Sequence, residues 1–161
     1  MKKSHALLGL AGFTAAVGAA AWFGSRFNPS IPKTALWYRS LNKPPWNPPN
    51  AVFPVVWTGI YALMAASGWR AWTRPASPRR QTALLLWSAQ LVANAQWTWL
   101  FFGLQKPEAA LIDIAVLEAL IVSYMATTRK LDPAAAACFV PYAAWVAFAA
   151  VLNAEIVRRN P

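Results

Sequence analysis

Long apolar runs, separated by short basic or proline-containing segments, make up most of this 161-residue chain. The runs lie at about 6–24, 51–69, 82–104, 109–128 and 134–154, and Lys, Arg and Pro gather between them. Each run is close to the ~20 residues that an α-helix needs to cross a bilayer. Because lipid offers no hydrogen bonds to the backbone, spanning segments of this kind are helical. The pattern therefore predicts an all-α membrane protein with five transmembrane helices.

The composition excludes an ordinary soluble protein. Apolar residues make up 58% of the chain and charged residues 12%, whereas soluble domains have ~45–50% and ~25%. A mean hydropathy of +0.34 also excludes disorder, which requires few apolar residues. Five spans leave no room for a soluble domain, so we expect residues 1–161 to form a single membrane domain.

Basic residues give the chain a formal charge of +10, which in a soluble protein would suggest nucleic-acid binding. Here they fall between apolar runs, where lipid head groups lie, and we predict no nucleic-acid partner. Counted by side of the membrane, eight lie on one side and seven on the other, so charge does not decide orientation. The eight are Lys2, Lys3, Arg70, Arg74, Arg79, Arg80, Arg129 and Lys130; the seven are Arg26, Lys33, Arg39, Lys43, Lys106, Arg158 and Arg159.

The first apolar run has two interpretations. Its basic start and the sequence Ala19-Ala20-Ala21 fit a secretory signal peptide as well as a retained helix. Small residues at four-residue spacing favour close helix packing, either within the bundle or between protomers. They are Gly12, Ala16, Ala20 and Gly24, with Ala89 and Ala93 in the third run.

The segment 25–50 contains six prolines and cannot form one continuous helix. They are Pro29, Pro32, Pro44, Pro45, Pro48 and Pro49. Loops of this length inside compact proteins are usually lids or binding segments. We therefore interpret 25–50 as a proline-rich lid loop between the first two spans.

Three of the runs each present aromatic residues together with an amide or a phenol. At helical spacing, one face carries Phe53, Trp57 and Tyr61, the next Gln90, Asn94, Trp97 and Phe101, and the last Trp145, Ala149 and Asn153. Any one of the ten tryptophans can be explained by packing alone. Because an amide facing hydrocarbon is costly, the combination favours an internal pocket for a flat, largely apolar ligand.

Few residues in the chain can hold a metal. There is one histidine, His5, and one cysteine, Cys138, so haem ligation by two histidines within a protomer is excluded and we predict no metal site. Asp113 and Glu118 lie inside the fourth run, where carboxyl groups are functional candidates. They are ~140° apart around a helix, so they do not form one two-carboxylate site.

Several motifs resemble the TspO/MBR family of tryptophan-rich sensory proteins and translocator proteins, which includes the peripheral benzodiazepine receptor. The run Trp46-Asn47-Pro48-Pro49, followed by Phe53, Trp57 and Tyr61, is similar to the family signature W-x-P-P-x-x-x-F-x-x-x-W-x-x-x-Y. Further matches are Trp37-Tyr38, Leu41-Asn42-Lys43-Pro44, Asn94-x-x-Trp97, Phe102-Gly103, Phe139-Val140-Pro141-Tyr142-x-x-Trp145 and Leu152-Asn153. The resemblance covers nearly the whole chain and favours a retained first helix.

The resemblance implies a five-helix bundle, commonly a homodimer, in a bacterial cell membrane. Its ligand would be a porphyrin, either protoporphyrin IX or haem, with no cofactor required. The protein would sense or regulate porphyrin levels, and Trp57 and Trp145 would be the catalytic residues of light-dependent porphyrin degradation. The alternative is a carrier of porphyrins, lipids or sterols across the membrane.

Carried over by motif, the resemblance also gives a set of ligand-binding residues. For the porphyrin propionates, Arg39 and Lys43 are the candidate cations, although contact with lipid head groups explains them equally well. The predicted ligand-binding set is Tyr38, Trp46, Phe53, Trp57, Tyr61, Asn94, Trp97, Trp145 and Ala149.

Overall fold

The structure, a computed structural model, describes residues 3–161, with side chains from His5 onward; Lys2 and the side chain of Lys3, both used in the charge count, lie outside this description. All regular structure in 3–161 is helical, which confirms the predicted all-α class. The helices are α1 Lys3–Ser25, α2 Pro32–Ser40, α3 Val52–Trp72, α4 Pro78–Thr98, α5 Pro107–Arg129, α6 Pro133–Ala137 and α7 Val140–Arg159, and α4 continues into a π-helical turn at Trp99–Gly103.

Within residues 3–161, four helical regions are long and apolar enough to cross a membrane. They are His5–Ser25, Val52–Trp72, Pro107–Arg129 and Pro133–Arg159. Helix α4 has the same length as α3, 21 residues, but it is much less apolar. It carries the amides Gln90, Asn94 and Gln96, so the predicted count of five depends on α4.

The segment 25–50 is not an uninterrupted loop, contrary to the sequence prediction, because it contains α2. The prolines lie at both ends of the segment and leave 33–43 free of them. Pro32 occupies the first turn of α2, where its missing N–H is unused and its fixed φ suits the helix. The chain then turns away after Ser40 into the cluster Pro44–Pro49.

The last predicted helix, 134–154, is in fact two helices, and it extends farther than predicted. Helix α6 ends at Ala137, a turn follows at Cys138 and Phe139, and α7 begins at Val140. Pro141, in the first turn of α7, has no N–H to continue a helical ladder. This explains why the break occurs immediately before it.

The long helices are arranged as a ring in which α3 packs on α1, α1 on α4, α4 on α5 and α5 on α7. The ring closes between α7 and α3 through aromatic side chains rather than through close backbone packing. The centre of the bundle is apolar, with Met64, Leu117, Ile121 and Phe139 fully buried. Gly68 allows close approach here, because a β-carbon would meet rings of Phe13 and Trp87 at 2.6 and 2.7 Å.

Asp132, in the turn between α5 and α6, joins three helices at the end of the bundle opposite α2. Its carboxylate accepts hydrogen bonds from Arg70 on α3 at 3.0 Å and from Arg74, which follows the end of α3, at 2.6 Å. It also caps α6 by accepting from the backbone N–H of Ala134 and Ala135. Burial opposes ionisation, but these hydrogen bonds and the charge of Arg70 hold the pKa of Asp132 below its usual value.

We expect Asp132→Asn to destabilise the protein by about 1–3 kcal/mol at neutral pH, because it removes the charged partner of two arginines but keeps a capping side chain. A lowered folded-state pKa stabilises the fold above the unfolded pKa of about 4 and loses this contribution as pH falls through the folded value. Thermal unfolding in detergent at pH 6 and pH 3 should therefore show a smaller acid effect in the variant than in wild type. Glu108→Gln, at an exposed position on α5, is the control, and equal acid effects in Asp132→Asn and wild type would contradict this role.

Candidate aromatic ligand site

Aromatic side chains of α3 and α7 face each other across the inside of the ring. The ring centroids of Phe53 and Trp145 are 5.8 Å apart, and those of Trp57 and Tyr142 are 6.1 Å apart, both edge to face. Trp57 also lies against Tyr61, at 5.3 Å. Phe53, Trp57, Tyr61 and Trp145 are all half-buried. The two faces predicted from helical spacing therefore come together in the structure.

Asn94 joins three helices from the side of α4. Its Oδ1 accepts a hydrogen bond from the Tyr61 hydroxyl at 3.3 Å, and its Nδ2 donates to the Tyr142 hydroxyl at 3.1 Å. Asn94 is 4% exposed and Tyr142 is 1% exposed. Because a buried amide is costly without partners, this arrangement fixes the side of α4 that faces α3 and α7.

A second amide, Asn153 of α7, connects α7 to Trp97 of α4 and to the start of α5. Its Oδ1 accepts from the indole N–H of Trp97 at 3.1 Å, and its Nδ2 donates to the carbonyl of Pro107 at 2.8 Å. Trp97 stacks on Phe101 with a centroid distance of 5.2 Å. Ala149, one turn before Asn153, packs against the same apolar core. The position of the Trp97 indole is thus set by a hydrogen bond as well as by packing.

The segment that carries α2 covers this end of the bundle. Tyr38 is buried, its hydroxyl donates to Asn47 Oδ1 at 3.3 Å, and its ring lies 5.5 Å from Phe102. Burial raises the pKa of Tyr38, and the hydrogen bond to Asn47 opposes this only in part. The segment is therefore held against this end of the bundle by its own hydrogen bond and by contact with the turn after α4.

The two candidate cations for an anionic ligand, Lys43 and Arg39, differ in whether they already have partners within the protein. Lys43 donates to the carbonyls of Tyr38 and Leu41 and lies 4.6 Å from the centre of the Tyr38 ring, and its burial lowers the pKa of the Lys43 amine. Arg39 is exposed, and among the described residues it forms no hydrogen bond or ion pair. Lys43 is thus engaged within the segment, and Arg39 is the accessible cation.

Trp46 is the predicted site residue that lies farthest outside. It is 45% exposed, and its ring lies 5.9 Å from Phe148, which in turn lies 5.5 Å from Trp145. Sequence reasoning missed the structural roles of Phe148 and Asn47. Phe148 follows Trp145 by three residues, one turn along the same helix, and Asn47 lies inside the Trp46–Pro49 motif, so both signals were present in the sequence.

Polar atoms without partners lie on α4 and α5. Gln90 Oε1, Asp113 Oδ2 and Glu118 Oε2 are buried and form no hydrogen bond with any described residue. Asp113 is 7% exposed, and Glu118 is half-buried. The two residues lie about 140° apart around α5, so their carboxyl groups do not share one side of the helix.

The arrangement suits binding of a flat apolar molecule better than hydrolytic chemistry. Indole and phenol rings offer stacking surfaces, and the amides and hydroxyls that could act on a substrate are already bonded to one another. Within residues 3–161, no group of three or more His, Cys, Asp and Glu side chains could hold a metal ion.

The chain is similar to the model of one protein family and to several known proteins. Residues 13–159 match the sequence model of the TspO/MBR family. A tryptophan-rich sensory protein of Cereibacter sphaeroides is 38% identical over 92% of this chain and 89% of its own length. The tryptophan-rich protein TspO of Chlorobaculum tepidum is 37% identical over 93% and 92%, and the translocator protein of Homo sapiens is 31% identical over 92% and 88%.

The match includes nearly all of the described helices, and four of the helical regions are apolar enough to span a bilayer. The chain therefore belongs to the TspO/MBR family and is an integral, multi-pass membrane protein.

Proposed function

We propose that this protein binds porphyrins such as protoporphyrin IX in the aromatic site between α3, α4 and α7, and that it senses or regulates their level. The observation that carries the proposal is the pairing of inward-facing rings with bonded amides: Trp57 and Trp145 offer stacking surfaces, and Asn94 holds the helices around them. A planar macrocycle with a polar edge matches such a site.

We further propose that α4 is the fifth transmembrane helix and that residues 25–50 act as a lid. Although α4 is less apolar than the other spans, Gln90 and Asn94 are buried against neighbouring helices, where amides do not meet lipid. The lid proposal is supported by the contacts of Tyr38 with Phe102 and Asn47. As in the family resemblance, the assembly would be a homodimer.

The propionates of a bound porphyrin would lie beneath the lid, and Arg39 is the better candidate to meet them, since Lys43 is already bonded to lid carbonyls. Trp57 and Trp145 would also support chemistry. Indole is readily oxidised, so either ring could donate an electron to a photoexcited porphyrin in the presence of oxygen. This would make light-dependent porphyrin degradation a second property of the same site.

Titration of the protein in lipid nanodiscs with protoporphyrin IX, in darkness, tests binding through quenching of tryptophan fluorescence. We expect saturable quenching, and an affinity about 5–10-fold weaker in Trp57→Leu because a stacking surface is lost. Trp22→Leu, at a 62% exposed ring on α1, should bind like wild type. If the aromatic residues served only for packing, quenching would rise linearly and never saturate.

Illumination of the same complexes separates binding from turnover. Trp57→Phe combined with Trp145→Phe keeps aromatic surfaces for stacking but removes both indoles. We expect this variant to bind in darkness yet to lose most of the light-dependent decrease in porphyrin absorption. A decrease as fast as in wild type would show that the two indoles do not take part.

A second candidate function, carriage of the ligand across the bilayer, is favoured by the unpartnered carboxyl oxygens of Asp113 and Glu118 inside α5. Buried carboxyl groups in transport proteins often exchange protons during the transport cycle. Asp113 and Glu118 are not needed for stacking, so a role of these two residues in transport can be tested separately from ligand binding.

Uptake of porphyrin into proteoliposomes should fall several-fold in Glu118→Gln if carriage is the function, because glutamine cannot exchange a proton. Glu108→Gln makes the same change at an exposed position of the same helix and should leave uptake unchanged. Identical uptake in Glu118→Gln, Glu108→Gln and protein-free liposomes would exclude a carrier that depends on this residue.

A further inference from the structure

The ring of helices has one open seam, between α3 and α7. The other neighbours in the ring pack along their backbones, whereas α3 and α7 are connected by rings, Phe53 with Trp145 and Trp57 with Tyr142. At one end the seam is closed by α6, where the Ser67 hydroxyl of α3 donates to the Ala135 carbonyl at 2.6 Å. At the other end the chain enters α3 directly from the lid segment.

Between these two ends, a groove of about 390 Å³ follows the outer side of the seam. From α3 it is lined by Val56, Gly59 and Leu63, and from α7 by Ala144 and Trp145. The α3 residues recur at helical spacing, on a face roughly 130° around the helix from Phe53, Trp57 and Tyr61. The groove thus lies on the bilayer side of α3 and α7, directly outside the aromatic site.

Trp145 belongs to both the groove and the aromatic site. Trp145 is one of the residues that line the groove, and its ring also packs against Phe53 and Phe148. Side chains with exposed surface change rotamer faster than helices move, and Trp145 is only half-buried. A single side-chain movement would therefore join the groove to the aromatic site, without unpacking any pair of helices.

We propose that this seam is a lateral opening through which the porphyrin passes edge first between the bilayer and the aromatic site, with Trp145 as its gate. The proposal rests on the function proposed above and names the route to that same site. Three features support the choice of occupant. The groove is apolar along its length, it faces the hydrocarbon where a porphyrin ring dissolves, and it is continuous with the stacking surface of Trp145.

The groove can be filled without disturbing the aromatic site. Gly59 is exposed, and a β-carbon placed on it would meet no atom within 4 Å, so Gly59→Leu should fold normally and occupy the groove. Ala144→Leu, at an exposed position on α7, fills it from the other side. Gly18→Leu is the matched control, because Gly18 on α1 is equally open but lines neither the groove nor the aromatic site.

Stopped-flow fluorescence tests this route. It measures the rate constants of association and dissociation of protoporphyrin IX, through tryptophan quenching in nanodiscs in darkness. An obstructed route slows entry and exit alike, so in Gly59→Leu and Ala144→Leu we expect both rate constants to fall by about ten-fold or more. Because the two rates fall together, Kd should change by no more than about two-fold. Gly18→Leu should keep the wild-type rates.

Other outcomes would overturn the proposal in recognisable ways. Unchanged rates in both groove variants would place entry elsewhere, for example through the lid. A raised Kd with an unchanged association rate would make the groove itself the binding site, and displaceable brominated lipid in the groove with unchanged porphyrin rates would make it a lipid site. Absence of saturable quenching in wild type would instead contradict the proposed function itself.

Discussion

A polar group inside a membrane must find its partner within the protein, and this constraint determines how the bundle is arranged. Asn94 can be buried on α4 only because Tyr61 and Tyr142 bond it, and Asn153 on α7 only because Trp97 and the Pro107 carbonyl do. Each bond sets the rotation of two helices relative to each other. Once these rotations are set, the aromatic rings on the same helix faces must point inward.

The same constraint explains why the helices around the aromatic site are packed closely on one side and are connected only by side chains between α3 and α7. Amides and close backbone packing hold α4, α5 and α7 together, whereas α3 is joined to α7 by edge-to-face ring pairs. Ring pairs contribute about 0.5–1.5 kcal/mol each beyond burial, and their separation, unlike loss of the hydrogen bond between Tyr61 and Asn94, leaves no polar group unbonded. The ligand proposed above would therefore enter beside the ring pairs while the rest of the bundle stays packed.

The all-α class and the aromatic helix faces could be predicted from the sequence, because both follow from the spacing of apolar and aromatic residues. Phe53, Trp57 and Tyr61 share a face whatever the tertiary arrangement, and an amide such as Asn94 must avoid hydrocarbon. Helix α2 was missed because the prolines on both sides of 33–43 obscured a short proline-free stretch. The break before Pro141 was missed because its neighbours are uniformly apolar. The seam, and the part of Trp145 in it, depends on which helices are neighbours, which no local pattern encodes.

The indole of Trp57 must face the interior of the bundle rather than the lipid if the aromatic site is to hold a ligand. Fluorine NMR of protein labelled with 5-fluorotryptophan, in nanodiscs that contain a spin-labelled lipid, tests it most directly, with resonances assigned by Trp57→Phe and Trp22→Phe. Trp22, 62% exposed on α1, serves as the lipid-facing reference. We expect strong paramagnetic broadening of the Trp22 resonance and little broadening of the Trp57 resonance, and equal broadening of the two would show that Trp57 faces the lipid.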